Sequence, residues 1–415
     1  MAQKRRPQIR EADLRGFKYF KLLNPILERL HDDATSRDRA GNRQLHFDQY
    51  AALLLLYFFN PIVTSLRGIQ QASTLDKVQK FLGVQRTSLG SLSEAARVFD
   101  PDLLRDLLGE LASQAVPLVH GREAEALRGL TAVDGSLLPA LPKMVWALWN
   151  DDQHRAAKMH VHFDVLRGVP VDATVTDGNS SERAQLRRTL QPGRLYVIDR
   201  GYAEYQLFQD IVDGGSGFIG RLRDNAVWET LEEPPVSTAA QAAGVRRDLV
   251  VVLGGRQSWA ALKQPLRVVE VDTGKTNSAG QPETLLLATN RLDLDAELVA
   301  LGYRYRWAIE LFFRWFKCIL GCKHLLSTDR DGLTIQVYAG LIASLLISLW
   351  TGKKPTKRTW EMVQFYFGGW ATVEELTRHI FFLSATPPPT ERTWRVFPSA
   401  RERVSKNRCP FTCRR

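Results

Sequence analysis

The sequence predicts an α/β protein: a mixed sheet flanked by helices, an all-helical N-terminal region before it, and a β-strand insertion placed ahead of a helix that carries Glu310. Three observations lead there. Residues 1–120 read as helices, residues 129–200 alternate strand-like and helical runs, and residues 225–290 are strand-rich with Gly, Pro and Asn turns. Strands that lead into helices build a layered sheet of mixed direction.

Within the helical region, Tyr50–Phe59 is an apolar run of ten, too short to span a bilayer and suited to a buried helix. Leu75–Leu82 stops at Gly83, and Ser91-Leu-Ser-Glu94 has the spacing of a capping box opening the next helix. Asp100-Pro101 starts another, with proline at the first helical position. The pair flanking Gly83–Gly90 resembles a helix-turn-helix bearing Lys77, Lys80, Arg86 and Arg97, though with a long turn.

The period changes after residue 129. Gly129–Asp134 is a short strand ending in a carboxylate. Met159, Val161, Phe163 and Val165 alternate with Lys158, His160, His162 and Asp164, the pattern of a half-buried strand. Leu166–Pro170 turns the chain into a second strand, Val171–Thr176, and Asn179-Ser-Ser-Glu182 is read as the cap of a helix. Leu195–Asp199 is a buried strand that also ends in a carboxylate, followed by Arg200-Gly-Tyr202. Strands at Leu249–Leu253, Leu266–Val271 and Thr284–Ala288 form the insertion. Leu333–Trp350 is an uncharged run of eighteen, diluted by Gln336, Ser344 and Ser348; with no second span beside it, it is read as a buried core helix.

Composition narrows the function. Hydrophobic residues at 44% and charged residues at 24% are ordinary for a globular chain of 415 residues. Lys and Arg outnumber Asp and Glu by 56 to 45, giving +11 and a pI near 9.6, a balance that favours polyanions. The first twenty residues and the stretch from Pro387 to Arg415 are the most basic, in the manner of arms that contact phosphate. The N-terminus leads into a polar segment and shows no signal peptide, so Cys318, Cys322, Cys409 and Cys413 are expected as reduced thiols. Their spacing fits a zinc site, with His324, only loosely.

The most specific run is Tyr303-x2-Arg306-x3-Glu310-x6-Lys317. Offsets of three, seven and fourteen place these four side chains within an arc of roughly 60° on one straight helix. A phenol, a guanidinium, a carboxylate and an ammonium on one face suit a polyanion held beside a metal-binding acid. Asp134 and Asp199, where strands leave a core, are candidate partners, although either alone also reads as a turn or cap aspartate. Three converging carboxylates can hold two Mg²⁺ ions, and hard oxygen donors favour Mg²⁺ or Mn²⁺ over zinc.

This run resembles the Tyr-Arg-Glu-Lys signature of bacterial DDE transposases of the insertion-sequence-four family, complete in type and spacing. Val197-Ile-Asp199-Arg-Gly-Tyr202 and Val133-Asp134-Gly-Ser136 look like that family's segments around its two aspartates, and the resemblance extends over roughly Leu130–Leu346. It implies an RNase H-like core with a β insertion between second aspartate and glutamate, for which the 110 intervening residues leave room. It implies catalytic, metal-binding roles for Asp134, Asp199 and Glu310. Tyr303, Arg306 and Lys317 would hold DNA phosphates, with Arg200 and Tyr202 as further candidates for DNA contact or support. The implied activity is metal-dependent cleavage of transposon-end DNA and strand transfer, using Mg²⁺ or Mn²⁺. Expected partners are end and target duplexes and a second copy in a synaptic homodimer; the expected location is the cytoplasm, without a membrane.

The expected segments are 1–120, helical and DNA-binding; 121–224 and 291–350, the two parts of the core; 225–290, the β insertion; and 351–415, a basic C-terminal region. Some relatives use a tryptophan of the insertion to stabilise a flipped base; Trp228 and Trp259 lie in that region, and the role stays unassigned. His160, His162 and Asp164 share a strand face and read either as metal ligands or as the polar side of that strand. Asp177 and Glu182 could border the acidic pocket, Glu182 being more simply the capping-box residue. The competing function is a DNA-binding regulator of transposition without catalysis.

Overall fold

The computed structural model describes residues 27–33, 44–254, 264–276, 282–318, 324–352 and 356–382, with single positions 262, 280 and 321. Both basic arms, Trp259, and Cys322, Cys409 and Cys413 lie outside these residues, as does the side chain of Cys318.

The N-terminal region is helical, as its pattern predicts: α1 (Phe47–Phe59), α2 (Leu66–Ala72), α3 (Asp76–Leu82), α4 (Leu89–Val98) and α5 (Pro101–Ser113). α1 is apolar around almost its whole circumference and is accordingly buried. α3 ends on Gly83 in the left-handed conformation. α4 begins earlier than the Ser91 box suggests: the Ser88 hydroxyl accepts from Ser91 N–H, so Ser91 is already inside the first turn. Asp100 caps α5 as expected. α3 packs on α1, and α4 on α1 and α2. Lys77, Lys80, Arg86 and Arg97 are exposed.

Among the described residues ten strands form one sheet: β1 (Leu130–Pro139), β2 (Leu148–Trp149), β3 (Asp151–Asp164), β4 (Val169–Asp177), β5 (Leu195–Ile198), β6 (Gly217–Arg221), β7 (Trp228–Glu232), β8 (Val245–Leu253), β9 (Leu266–Thr276) and β10 (Pro282–Thr289). The core reads β4-β3-β1-β5-β6. Its first three strands are antiparallel, while β5 and β6 run parallel to β1, giving the mixed sheet of an RNase H-like core. The inserted strands continue that sheet antiparallel from β6 in the order β10-β9-β8-β7. Trp228, at the start of β7, is partly buried against the core.

Two apolar layers cover the sheet. On one face lie α6 (Glu182–Arg188) and α7 (Tyr205–Asp213), over Val133, Tyr196, Ile198 and Phe218. On the other lie α8 (Ala296–Tyr305), α9 (Trp307–Cys318) and α10 (Arg330–Thr351), over Leu130, Ala132, Val197 and Ile219. Because both faces are covered, β3 is not the half-buried strand its alternation suggests: His160, His162 and Asp164 are as buried as Val161 and Phe163. α10 carries the long apolar run and is long and apolar enough to cross a membrane, yet 89% of that run is buried, packed on α1, α4, α5 and β4. α11 (Lys357–Phe367) and α12 (Val373–Phe382) pack together after it.

Candidate active site

Sheet register assembles the acids. Residues 130–132 of β1 pair in parallel with 195–197 of β5, so continuing both strands by two residues sets Asp134 level with Asp199. Side chains alternate with period two. Asp134 therefore shares the face of Ala132, and Asp199 that of Val197, which is the face that α8 and α9 cover. Asp134 lies at the fifth residue of β1 and not at its end, because β3 pairs with β1 as far as Pro139. Asp199 follows β5 directly and caps the 3-10 turn Arg200–Tyr202, its Oδ1 accepting from Gly201 N–H at 2.7 Å.

The run from Tyr303 to Lys317 is two helices and not one straight helix. At Arg306 the backbone tightens, with Arg306 N–H bonding Tyr303 O and Ile309 N–H bonding Arg306 O. α8 sits close to the sheet: a Cβ on Gly302 would lie 2.6 Å from Ile219 Cδ1, so a larger residue here would make that side chain move. α9 is pinned over β3 by Phe312 on Phe163, 5.0 Å between ring centres. Glu310 thus lies in the first turn of α9 and Lys317 in the last, where Lys317 Nζ donates to Leu137 O of β1 at 3.4 Å.

Arg306 is the cation among the acids. Its Nη2 meets Glu310 Oε1 at 2.6 Å, and its charge also acts on Asp134 and Asp199. Burial pushes the Asp134 carboxyl up to about 7, with Arg306 opposing that rise and the negative charges of Asp199 and Glu182 adding to it. Burial likewise raises the Tyr303 hydroxyl, against the pull of Arg306 and Arg221. The donors are all carboxylate oxygens, the set a hard divalent cation takes, and the crowding of like charge at Asp134 is what such a cation relieves. Among the described residues no three His, Cys, Asp or Glu side chains already stand close enough to share one ion. Glu310 is instead turned to Arg306.

Beside Asp199 opens a cleft of about 990 Å³ between the end of the core sheet and the insertion. Arg200, Arg221, Arg223, Lys275, Arg304 and Arg306 line it against only Asp199, Asp224 and Glu283, with Tyr303 and Trp307 also in its wall. Arg200 is exposed and pairs with Asp224 at 3.0 Å. Tyr202 lies elsewhere than a DNA contact would: it is 1% exposed, under the acids, and its buried hydroxyl has no hydrogen-bond partner among the described residues.

The remaining candidates separate clearly. His160 Nε2 bonds Thr176 at 2.9 Å and His162 Nε2 bonds Thr189 at 3.1 Å, and burial pulls both rings down to about 4, so they are neutral structural groups. Asp177 turns to Ser180 and Asn179. Glu182 is not the cap residue; Ser181 caps α6, and Glu182 reaches toward β1. Arg221, Arg223, Lys275, Arg304 and Trp307 were not distinguished by sequence. For Arg221, Arg223 and Lys275 the only signal is a basic side chain at the exit of β6 or toward the end of β9, and Arg304 and Trp307 stand beside the Tyr303–Lys317 run; these places carry meaning once they are known to line the cleft beside Asp199.

The family model of the transposase DDE domain matches residues 125–346, more than half of the chain. Transposase y4zB, by name, of Sinorhizobium fredii is 28% identical over 230 residues, covering 55% of this chain and 62% of its own length. The chain thus spans less than two thirds of that relative. A protein named as the transposase for insertion sequence element IS5377 of Geobacillus stearothermophilus is 23% identical over 279 residues, 67% of this chain and 71% of its own. Among solved structures, the piggyBac transposase synaptic complex with hairpin DNA is 13% identical, covers 96% of this chain and 90% of its own, and has a TM-score of 0.39, a likeness that carries no argument. The sequence match spans β1 to α10 and takes in Asp134, Asp199 and Glu310, and the chain belongs to the family defined by the transposase DDE domain.

Proposed function

We propose that this chain is a cut-and-paste transposase of a bacterial insertion sequence, of the insertion-sequence-four group. It would cleave phosphodiester bonds at transposon ends and join the freed 3′ ends to target DNA. The observation that carries the reading is the register of β1 against β5, which brings Asp134 level with Asp199 on the face where α9 presents Glu310, beside a basic cleft.

Asp134, Asp199 and Glu310 would hold two divalent ions, Mg²⁺ or Mn²⁺; when bound, such ions would stabilise charge on the attacking and leaving oxygens. The chain's own residues bind and orient the DNA. Arg306 offers a planar fork for a phosphate once Glu310 releases it, and Arg200, Arg221, Arg223 and Lys275 can follow the backbone through the cleft. Tyr303 supports Arg306, whose guanidinium lies 5.9 Å from its ring centre. Lys317, anchored at Leu137 O, would hold phosphate on the far side of Asp134.

The segment roles follow: residues 1–120 bind end DNA, 121–224 and 291–350 form the catalytic core, 225–290 close the cleft, and 351–415 add basic contacts. Two copies would bridge two ends in a cytoplasmic, nucleoid-bound complex. The test presents candidate inverted-repeat DNA with Mg²⁺ and maps the cuts. Metal-dependent nicking at the ends is expected; binding without any nicking under either metal would leave a regulator of transposition in its place.

A further inference from the structure

We infer that Glu182 is a fourth carboxylate of the Asp134–Asp199–Glu310 centre, taking the same divalent cation as Asp134, and that β1 carries Gly135 to admit it. This rests on the metal-dependent reading above and adds a ligand from the opposite face of the sheet.

The plain account of Glu182 is an acid in the first turn of α6, favourable there to the helix dipole. That account leaves the direction of the side chain open, and the direction is the informative part. A Cβ built on Gly135 would lie 2.6 Å from Glu182 Oε1 and 3.0 Å from its carboxyl carbon. The backbone at Gly135 is not left-handed, so conformation does not demand glycine. Space does. Glycine inside a strand marks a close approach, and what approaches is a carboxylate, directly beside Asp134.

Two further groups point the same way. Lys158 of β3, only 14% exposed, donates to Ser180 O at 3.0 Å and stands 3.5 Å from Glu182 Oε1. This ion pair fixes the carboxylate at this place. Tyr202, from the α6–α7 side, feels the charges of Asp134, Glu182 and Asp199 together. Its buried hydroxyl, without a hydrogen-bond partner among the described residues, is an unpaired polar group beside those acids. Unpaired buried polar groups cost free energy, and water on a cation held by Asp134 and Glu182 would donate to the oxygen of this hydroxyl.

The experiment titrates Mn²⁺ into the full chain, freed of metal by chelation and without DNA, and follows binding by calorimetry, with a melting curve for every variant. Asp134→Asn should abolish binding at the centre. Glu182→Gln should weaken it by at least about tenfold, the scale on which even outer-sphere partners of a metal site matter. Gly135→Ala should weaken it similarly although all four carboxylates remain, because the new methyl displaces Glu182. Adding Gly135→Ala to Glu182→Ala should then cost nothing more, since both act through one contact. Wild-type affinity in folded Glu182→Gln, with binding lost in Asp134→Asn, overturns the inference and leaves the metal-dependent reading intact. No Mn²⁺ binding by the wild-type chain with or without DNA overturns both. Should Glu182→Gln fail to fold, Gly135→Ala decides alone: wild-type affinity there refutes the contact.

Discussion

Replacing Asp134 with asparagine should stabilise the metal-free protein at alkaline pH, even though it removes a residue proposed to hold the metal. The native carboxyl keeps its proton to about pH 7, whereas the unfolded one has the ordinary value of 3.8. Between those values the native state holds a proton that the unfolded state has lost, so stability falls as pH rises through the window. The gap is about three pH units, or about 4 kcal/mol at 1.36 kcal/mol per unit. Solvent reaches part of this carboxyl, and screening brings the expected gain to about 2–3 kcal/mol above pH 7. Asparagine removes the charge and keeps the shape. Thermal unfolding in chelator at pH 4, 5.5, 7 and 8.5 reads the effect. The two proteins should melt together at pH 4 and diverge by several degrees at pH 8.5, the variant higher. Saturating Mn²⁺ should reverse the order, because only the wild type gains binding free energy. A variant that melts at or below wild type at pH 8.5 in chelator, with the same pH dependence, would refute the argument.

Glu310→Ala should retain end-DNA binding and lose strand cleavage; cleavage at the wild-type rate would remove Glu310 from the centre. Arg223→Ala should weaken DNA binding evenly across sequences and lower the slope of log affinity against log salt by about 1, and an unchanged slope would take Arg223 off the DNA path. Asp172→Ala leaves Arg105 without the two-pronged pair at 2.6 and 2.7 Å that ties α5 to β4. Denaturant unfolding should show a loss of about 2–3 kcal/mol, and a loss under 1 kcal/mol would mean the pair is solvent-screened.

Most of the fold was legible because its signals are local. The apolar run of α1, the Asp100-Pro101 start of α5 and the alternation along β3 each reflect a period or a cap written in consecutive residues. Boundaries slipped where two caps competed: Ser88 took the place expected of Ser91, and Ser181 that of Asn179. The burial of His160 and His162 was hidden because alternation reports one covered face, while the second cover, α6, comes twenty residues later in the chain.

The sequence by itself determined the residue types and spacing of Tyr303, Arg306, Glu310 and Lys317, and the two aspartates at strand-like runs, since both are matters of order along the chain. Tertiary structure alone decided that Asp134 is level with Asp199, that Arg306 pairs with Glu310, and that Tyr202 is beneath the acids. It also decided that the Glu182 carboxylate lies against Gly135. Those relations depend on strand register and on which helix covers which face, and a carboxylate's free energy depends on the charges and burial around it, not on its neighbours in sequence.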